Sequence, residues 1–345
     1  TFSGTAEIGS SVEVFIDGVS AGAPVVADGS GNWSFAYAGA PLTDGSYAMT
    51  AQATDVAGNV SVVSTTPLTV TIDTVSDKPV VTGISQDSGN SSDGITNDDT
   101  LQISGSAEAG STVEVFLDSG AGAVSLGTTT ADATTGLWSY DHTGVSLAEG
   151  DYTITAKATD LHGNPQSADS DPFAVRIDQG VADPSFVLND DSNIAGDFIT
   201  NHGQIDVTLA GDVASWRYSL NGGTDWTAGS GSSFTLAEGT YLSGSILVEQ
   251  TDEAGNTSNQ VASTSDIVVD QTVAAPVVSA FTTDSGVVGD AITNDSNPTF
   301  SGTAEIGSSV EVFIDGVSAG APVVADGSGN WSFAYAGAPL TDGSY

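Results

Sequence analysis

The sequence contains no cysteine and very few basic residues. Without cysteine, no disulfide can cross-link the chain and no thiol is available for chemistry. The absence of cysteine fits an exported bacterial protein that cannot rely on an oxidising folding compartment. Only 4 Lys and Arg oppose 44 Asp and Glu, so the formal charge is -40 at pH 7. Such a charge repels nucleic acid and anionic membranes, and it opposes a compact chain unless cations are bound. No apolar run approaches the length of a membrane span, so we expect no membrane insertion in this segment.

Residues 299–345 repeat residues 1–47 without a change, at an offset of 298 positions. This identity indicates a recent duplication in a tandem array, and a chain that begins and ends inside a repeat is expected to be a window of a longer polymer. Three weaker motifs recur within the period: Asp-Ser-x4-Asp-x-Ile-Thr-Asn, Thr-Asp-x-x-Gly-Asn and Leu-x-(Asp/Glu)-Gly-x-Tyr. Their spacing divides the period into three related domains of about 100 residues. We place the domains at 1–79, 80–184, 185–276 and 277–345, where the first lacks its opening strand, found only at 277–298, and the last is truncated.

The hydrophobic pattern is that of β-strands. Hydrophobic residues make up 39% of the chain and alternate with polar ones, which favours folded domains over disorder. Such strands are predicted at residues 11–17, 47–54, 68–73, 112–118 and 152–159. A shorter and more continuously apolar run at 245–250 is also of strand length, and no stretch sustains a helical period. With 42 Gly and frequent turn residues, each domain is predicted to be a seven-strand, all-β, Ig-like sandwich, and the domains to form an extended array.

Aromatic residues recur at two fixed positions. The motif Leu-x-(Asp/Glu)-Gly-x-Tyr falls at the corner between the fifth and sixth strands, where Ig-like sandwiches place a tyrosine whose hydroxyl binds the backbone. Tyr47, Tyr152 and Tyr241 are therefore predicted to be structural. Trp33 and Trp138, in Gly-x-Trp-Ser, are predicted to lie in the core.

Taken together, the motifs resemble a known family. The strings Ser-Gly-(Thr/Ser)-Ala-Glu-x-Gly-Ser-x-Val-Glu-Val-Phe, Ala-Asp-x-x-x-Gly-x-Trp-Ser and Ala-Thr-Asp-x-x-Gly-Asn resemble bacterial Ig-like repeats of giant biofilm-associated and RTX-type adhesins. The resemblance covers essentially the whole chain, with the third domain similar to a variant repeat. It implies a secreted stalk tethered at the bacterial cell surface, stiffened by calcium at domain junctions, in a protein for cell adhesion and biofilm formation. The glycine-rich nonapeptide repeats that end RTX proteins do not occur in these residues, so the secretion route is an implication only.

The acidic loops give a separate argument for calcium at the domain junctions. Calcium takes six to eight oxygen ligands, which clusters of Asp and Asn in Gly-containing loops can supply. In a seven-strand sandwich the end of the last strand approaches the turn between the sixth and seventh strands (the F–G turn) of the following domain. Junction sites are therefore predicted from two sets of residues, Asp73 and Asp77 with Asp160, and Asp178 and Asp183 with Asp252, with Glu108 as a further candidate at the first.

A second kind of calcium site is predicted in the loop between the first two strands of each domain (the A–B loop). Its candidate ligands are Asp87, Asp93 and Asp98, then Asp191 and Asp197, and then Asp284, Asp290 and Asp295. His202 replaces the last Asp in the third domain, so that site is expected to be weaker or absent. Asp, Asn and Gly are also ordinary turn residues, but their recurrence in all three domains beside a charge of -40 favours metal binding.

Enzyme motifs have little support. Gly18-Val-Ser-Ala-Gly22 matches the Gly-x-Ser-x-Gly motif of hydrolases, but it lies in a predicted hairpin loop in a domain without histidine. His142, His162 and His202 are far apart in sequence and lack zinc-ligand spacing. We therefore predict no enzyme.

Two classes of function remain open, with a third as a weaker hypothesis. The first is a calcium-stiffened stalk whose partners are neighbouring repeats of the same chain. The second is a self-associating extracellular filament or matrix layer, in which other copies are the partners. The third is binding of cell-surface glycans through Trp216 and Trp226, which have no counterparts in the other domains, although core packing is the simpler interpretation.

Overall fold

The computed structural model describes all residues from Thr1 to Tyr345 and consists of strands and turns, without a helix. The predicted all-β class is confirmed. The chain divides into two compact units, Thr1–Gly180 with Glu253–Asn256, and Val181–Asp252 with Thr257–Tyr345. The structure contains no helix that is long and apolar enough to cross a membrane.

Most strands follow one another with short connections. Those of the first domain are β1 (Phe2–Thr5), β2 (Ser11–Ile16), β3 (Val19–Ser20), β4 (Val25–Val26), β5 (Asn32–Phe35), β6 (Gly45–Thr54) and β7 (Leu68–Ile72). Those of the second are β8 (Val80–Ile84), β9 (Ile95–Thr96), β10 (Gln102–Ser106), β11 (Thr112–Asp118), β12 (Val124–Thr130), β13 (Leu137–Asp141), β14 (Gly150–Thr159) and β15 (Phe173–Ile177).

The third and fourth domains are built from shorter strands. Those of the third are β16 (Ser185–Leu188), β17 (Ile199–Thr200), β18 (Gln204–Thr208), β19 (Val213–Ser219), β20 (Thr227–Ala228), β21 (Ser233–Thr235), β22 (Gly239–Tyr241), β23 (Leu247–Asp252), β24 (Val261–Ala262) and β25 (Ile267–Val269). Those of the fourth are β26 (Val277–Thr282), β27 (Thr299–Thr303), β28 (Ser309–Val310), β29 (Phe313–Ile314), β30 (Val317–Ser318), β31 (Val323–Val324) and β32 (Asn330–Ala334).

The second domain shows the sandwich in full. One sheet has the order β13-β10-β8 and the other β12-β11-β14-β15-β9. Twelve buried residues form the core between them, among them Ile103, Trp138 and Ile154. The strand β9 is an eighth strand beyond the predicted seven. It forms because the A–B loop runs parallel to β15, pairing Ile95 with Arg176 and Thr96 with Ile177.

The indole of Trp138 packs over a glycine on the neighbouring strand. A Cβ added to Gly105 would lie 2.3 Å from Cζ2 of Trp138 and 2.1 Å from the carbonyl oxygen of Val80. Since both distances are too short for a methyl group at this position, the packing of the tryptophan requires glycine here.

The predicted tyrosine corners are confirmed. The hydroxyl groups of Tyr47, Tyr152 and Tyr241 donate hydrogen bonds to backbone carbonyls four residues upstream, at 2.7, 2.9 and 3.1 Å. Each bond fixes the chain where it crosses from one sheet to the other.

The third domain keeps the sandwich with a core of nine buried residues. Trp216 is one of them, and its indole N–H donates to the carbonyl of Gly231 at 2.9 Å. The strand predicted at 245–250 instead runs from Leu247 to Asp252. It starts later because Ser245 closes a turn, donating from its N–H and its hydroxyl to the carbonyl of Leu242.

Candidate metal centre

The F–G turn of the second domain is organised by one aspartate. Asp160 follows β14 directly, and its Oδ1 accepts hydrogen bonds from the N–H groups of His162, Gly163 and Asn164 at 2.8, 3.0 and 3.2 Å. Gly163 has a φ of 86°, which glycine adopts without strain. The recurring Thr-Asp-x-x-Gly-Asn motif is therefore a carboxylate-capped turn.

This turn meets the end of the first domain. Asp73 follows β7, and its two carboxylate oxygens lie 2.7 Å from Nδ1 of His162 and 3.1 Å from the amide nitrogen of Asn164. The same amide nitrogen lies 2.5 Å from Oδ2 of Asp160. Asp73, Asp160 and His162 each offer one ligand atom, and these atoms lie within 4.8 Å of one another. Asp160 is only 8% exposed, so the group is a partly enclosed donor set.

Two acidic groups of this junction have pKa values displaced in opposite directions. Burial raises the pKa of Asp160, but hydrogen bonds from the Asn164 side chain and the backbone of His162 outweigh it and lower the pKa to about 2. Burial and then the negative charges of Asp73 and Asp160 raise the pKa of the Glu108 carboxyl, against a hydrogen bond from the N–H of Asp77. The structure thus places Glu108 and Asp77 in the electrostatic surroundings of the cluster.

His162 was not among the ligands predicted from the sequence. Its position is Ala57 in the first domain and Ala254 in the third, so it carries no recurring signal. The imidazole becomes a candidate ligand only because Asp73 of the preceding domain lies next to it.

The residues predicted for the second junction lie in different settings. The Asp178 side chain is 4% exposed and lies 3.3 Å from Nη2 of Arg176, while its backbone carbonyl accepts from the amide of Asn256 at 2.8 Å. Asp183 accepts hydrogen bonds from the backbone and the amide of Asn259, at 2.9 and 3.2 Å. Asp252 is buried at the end of β23.

In the A–B loops, the first aspartate behaves alike in all three copies. One carboxylate oxygen accepts a hydrogen bond from a backbone N–H of the loop. The donors are Ser92 for Asp87 at 2.6 Å, Gly196 for Asp191 at 2.5 Å and Gly289 for Asp284 at 2.5 Å. The other oxygen, Oδ1 in every case, is buried and accepts no hydrogen bond from the protein. A buried anionic oxygen without a donor is unfavourable unless a cation or water satisfies it.

The remaining loop aspartates serve mainly as local caps. Four of them each accept a hydrogen bond from the backbone N–H two residues ahead: Asp93 from Ile95, Asp197 from Ile199, Asp290 from Ile292 and Asp295 from Asn297. Asp98 caps Thr100 with Oδ1, and its Oδ2 is buried without a partner in the protein. His202, at the matching position of the third domain, pairs through Nδ1 with Asp190 at 2.9 Å.

Neither tryptophan of the third domain is fully exposed to a ligand. Trp216 is 7% exposed. Trp226 is half-buried, with the guanidinium of Arg217 4.6 Å from its ring centre.

The fold and its recurring motifs define a tandem array of Ig-like β-sandwiches. The family model of the bacterial Ig-like domain matches residues 1–74, 76–179 and 272–345, well over half of the chain. The protein belongs to the bacterial Ig-like domain family.

Several solved structures are similar to the chain. One is a tetra-tandem repeat in the extending region of a large adhesion protein, with 20% identity over 99% of this chain and 88% of that chain, at a TM-score of 0.27. Another concerns host cell surface retention of a 1.5-MDa bacterial ice-binding adhesin, with 21% identity over 78% of this chain and 90% of that chain, at a TM-score of 0.33. A third contains fibronectin(III)-like modules of Clostridium thermocellum CbhA, with 15% identity over 54% of this chain and 93% of that chain, at a TM-score of 0.28. No curated protein matches the chain significantly.

Proposed function

We propose that the chain is part of the repetitive stalk of a large bacterial surface adhesin, secreted and displayed outside the cell, where it serves adhesion and biofilm formation. Its Ig-like domains act as spacers, and calcium at the domain junctions stiffens the array. The observation that carries the proposal is the donor group of Asp73, Asp160 and His162, because it joins the end of one domain to a turn of the next.

Electrostatics gives the mechanism. Two carboxylates at one junction repel each other by about 1 kcal/mol in water at contact distance, and Glu108 and Asp77 add to the same negative region. A divalent cation reverses the sign of these interactions and ties both domains to one ion. A stalk of this kind would be stiff where calcium is abundant and loose inside the cell, where calcium is scarce.

Calcium suits most of the donor set, although the histidine is unusual for it. Carboxylates, the Asn164 amide oxygen in its alternative orientation, and water are hard oxygen ligands. Imidazole is a ligand that zinc, copper and nickel prefer. His162→Ala distinguishes the two cases, since alanine is the residue of the other domains at this position. If the site binds calcium, the His162→Ala variant keeps most of the wild-type affinity for calcium. Loss of metal binding in the variant would instead assign the site to a transition metal.

The A–B loops provide an argument for additional calcium sites. In all three loops the first aspartate leaves one buried carboxylate oxygen without a donor, and a cation there would satisfy it. The His202 substitution removes a carboxylate from the third loop, so we expect that loop to bind more weakly than the other two.

Small-angle scattering of the chain with calcium and with a chelator tests the proposal. We expect a larger maximum dimension and a narrower distribution of shapes in calcium, with binding stoichiometry measured by calorimetry on the same samples. An unchanged scattering curve at saturating calcium would contradict the stiffening role, and absence of binding heat would contradict the site itself.

A further inference from the structure

The end of the A–B loop pairs with the last strand in both the second and the third domain. In the second domain β9 runs parallel to β15. In the third domain β17 runs parallel to β25 in the same way, with Ile199 opposite Val268. The proposed calcium sites use the aspartates of the recurring A–B motif, whereas its Ile-Thr pair takes no part in them. The parallel pairing gives these two residues a role.

Two backbone hydrogen bonds of the same kind hold each pairing. The N–H groups belong to the last strand and the residue after it, and the carbonyls belong to the A–B loop. The pairs are Arg176 to Gly94 and Asp178 to Thr96, both at 2.8 Å, and Val268 to Phe198 and Asp270 to Thr200, at 3.0 and 2.9 Å. The bonds recur at the same motif positions in two domains of different sequence, so they are a built feature of the repeat.

The short strand is also tied to the start of its own loop. Thr96 is 0% exposed, and its hydroxyl donates to the carbonyl of Gln86 at 2.6 Å. Thr200 is 1% exposed and donates to the carbonyl of Asp190 at the same distance, 2.6 Å. Because Gln86 lies just beyond the end of β8, a displacement of β8 along the chain is passed on to β9.

The direction of the paired strands decides how they respond to tension. Tension enters the second domain at β8 and leaves it after β15, so it pulls β9 backwards and β15 forwards. Because the two strands are parallel, they are displaced against each other along their length. The hydrogen bonds lie across that displacement, so they are loaded together and do not break one after another.

The last strand carries part of the core in both domains. Val175 and Ile177 of β15 are 2% and 0% exposed and belong to the core of the second domain. Ile267 and Val269 of β25 belong to the core of the third. Removal of either strand would expose these side chains to water, so the pairing with the A–B loop must break before the core opens.

We propose that the pairing of the A–B loop with the last strand is a mechanical clamp, which resists unfolding of each domain under tension. The clamp rests on the proposed stalk function for its purpose, because a stalk transmits force. Its strength comes from backbone hydrogen bonds, so it does not require bound metal. The Ile-Thr part of the A–B motif thus serves resistance to force, separately from the aspartates.

Single-molecule force measurements on the whole chain test the clamp by pulling the second domain in two directions. The chain has no cysteine, so handles can be attached at introduced pairs. Val80→Cys with Gln179→Cys displaces β9 and β15 along their length, whereas Asn97→Cys with Gln179→Cys peels them apart from one end. All three positions are exposed. We expect an unfolding force about twofold higher in the first direction, because forced unfolding reports the barrier and not the equilibrium stability.

Proline substitution identifies the bonds that carry the load. Arg176→Pro removes the N–H that donates to Gly94, and Arg176→Ala removes the side chain but keeps that N–H. Ala174→Pro is the control for proline itself, because its N–H faces the same edge of β15 before β9 begins to pair. We expect Arg176→Pro alone to lose most of the difference between the two directions.

The measurements are made in chelator, so their outcome does not depend on calcium. A higher force along the strands that is lost in Arg176→Pro and kept in both controls supports the clamp. Equal forces in the two directions overturn it, as does a wild-type force along the strands in Arg176→Pro. Failure of the clamp would leave the response of the scattering curve to calcium untouched, and absence of that response would leave the clamp untouched.

Discussion

Replacing Asp160 by asparagine separates the role of its charge from its role in the turn. Asparagine keeps an Oδ1 that can accept the three N–H groups of the turn, but it removes the negative charge and the second carboxylate oxygen. The first domain offers a matched control in Asp55, which caps the same turn. There Oδ1 accepts from Asn59 N at 2.7 Å and Oδ2 from the Asn59 amide at 2.7 Å. The structure assembles no group of three ligands around Asp55.

The expected magnitude follows from binding linkage. Calcium at about 100 times its dissociation constant stabilises a folded site by about 2.7 kcal/mol. For a domain of this size, 1 kcal/mol corresponds to a shift in melting temperature of roughly 4–8 °C. Calcium should therefore raise the transition of the wild-type second domain by about 10–20 °C, and Asp160→Asn should abolish most of that shift. Asp55→Asn should keep it, although both variants lose some stability in chelator because both turns are weakened.

Differential scanning calorimetry with calcium and with chelator measures both quantities on the same samples. The difference between the two conditions is compared among wild type, Asp160→Asn and Asp55→Asn. If Asp160→Asn shows the full wild-type response to calcium, the cluster at Asp73 is not the stabilising site. If Asp55→Asn loses the response as well, the effect belongs to the turn and not to the junction.

Two further expectations concern acid and packing. Because the pKa of Asp160 is lowered to about 2, its contribution is fully present above the unfolded pKa of about 3.9 and is lost as the pH falls from there through 2. The raised pKa of Glu108 acts in the opposite sense, because protonation of this carboxyl favours the folded state. In chelator, an acid titration should therefore show no loss of stability from Glu108 before the loss from Asp160 begins. A loss of stability at pH 5–6 would contradict this. Gly105→Ala should destabilise the second domain by about 1–3 kcal/mol in urea unfolding, because its Cβ meets Trp138. Gly144→Ala, with open space around the new methyl group, should be within about 0.5 kcal/mol of wild type.

The sequence predicted those features that depend on local periodicity and repetition. Alternation along 112–118 corresponds to β11 without a change of bounds. The tyrosine corners were recognisable because a glycine and a leucine accompany each tyrosine at fixed spacing. The core position of Trp138 was recognisable for the same reason, since its glycine neighbours recur with it.

Features that depend on one domain meeting another were less accessible. The sequence gives no reason to pair His162 with Asp73, because 89 positions separate them and alanine occupies the histidine position in the other domains. Strand β9 was missed because two residues are too few to show alternation, and its pairing with β15 arises from tertiary contact. The late start of β23 reflects the turn closed by Ser245, which apolar content alone does not reveal.

The formal charge of this chain opposes lateral association of its copies. Each of its four basic side chains pairs with a carboxylate of the same chain: Lys78 with Asp171, Lys157 with Asp169, Arg176 with Asp178, and Arg217 with Glu249. No basic side chain is therefore left over to bridge the acidic face of a second copy, and lateral contact between faces is opposed by a formal charge of -40 on each chain.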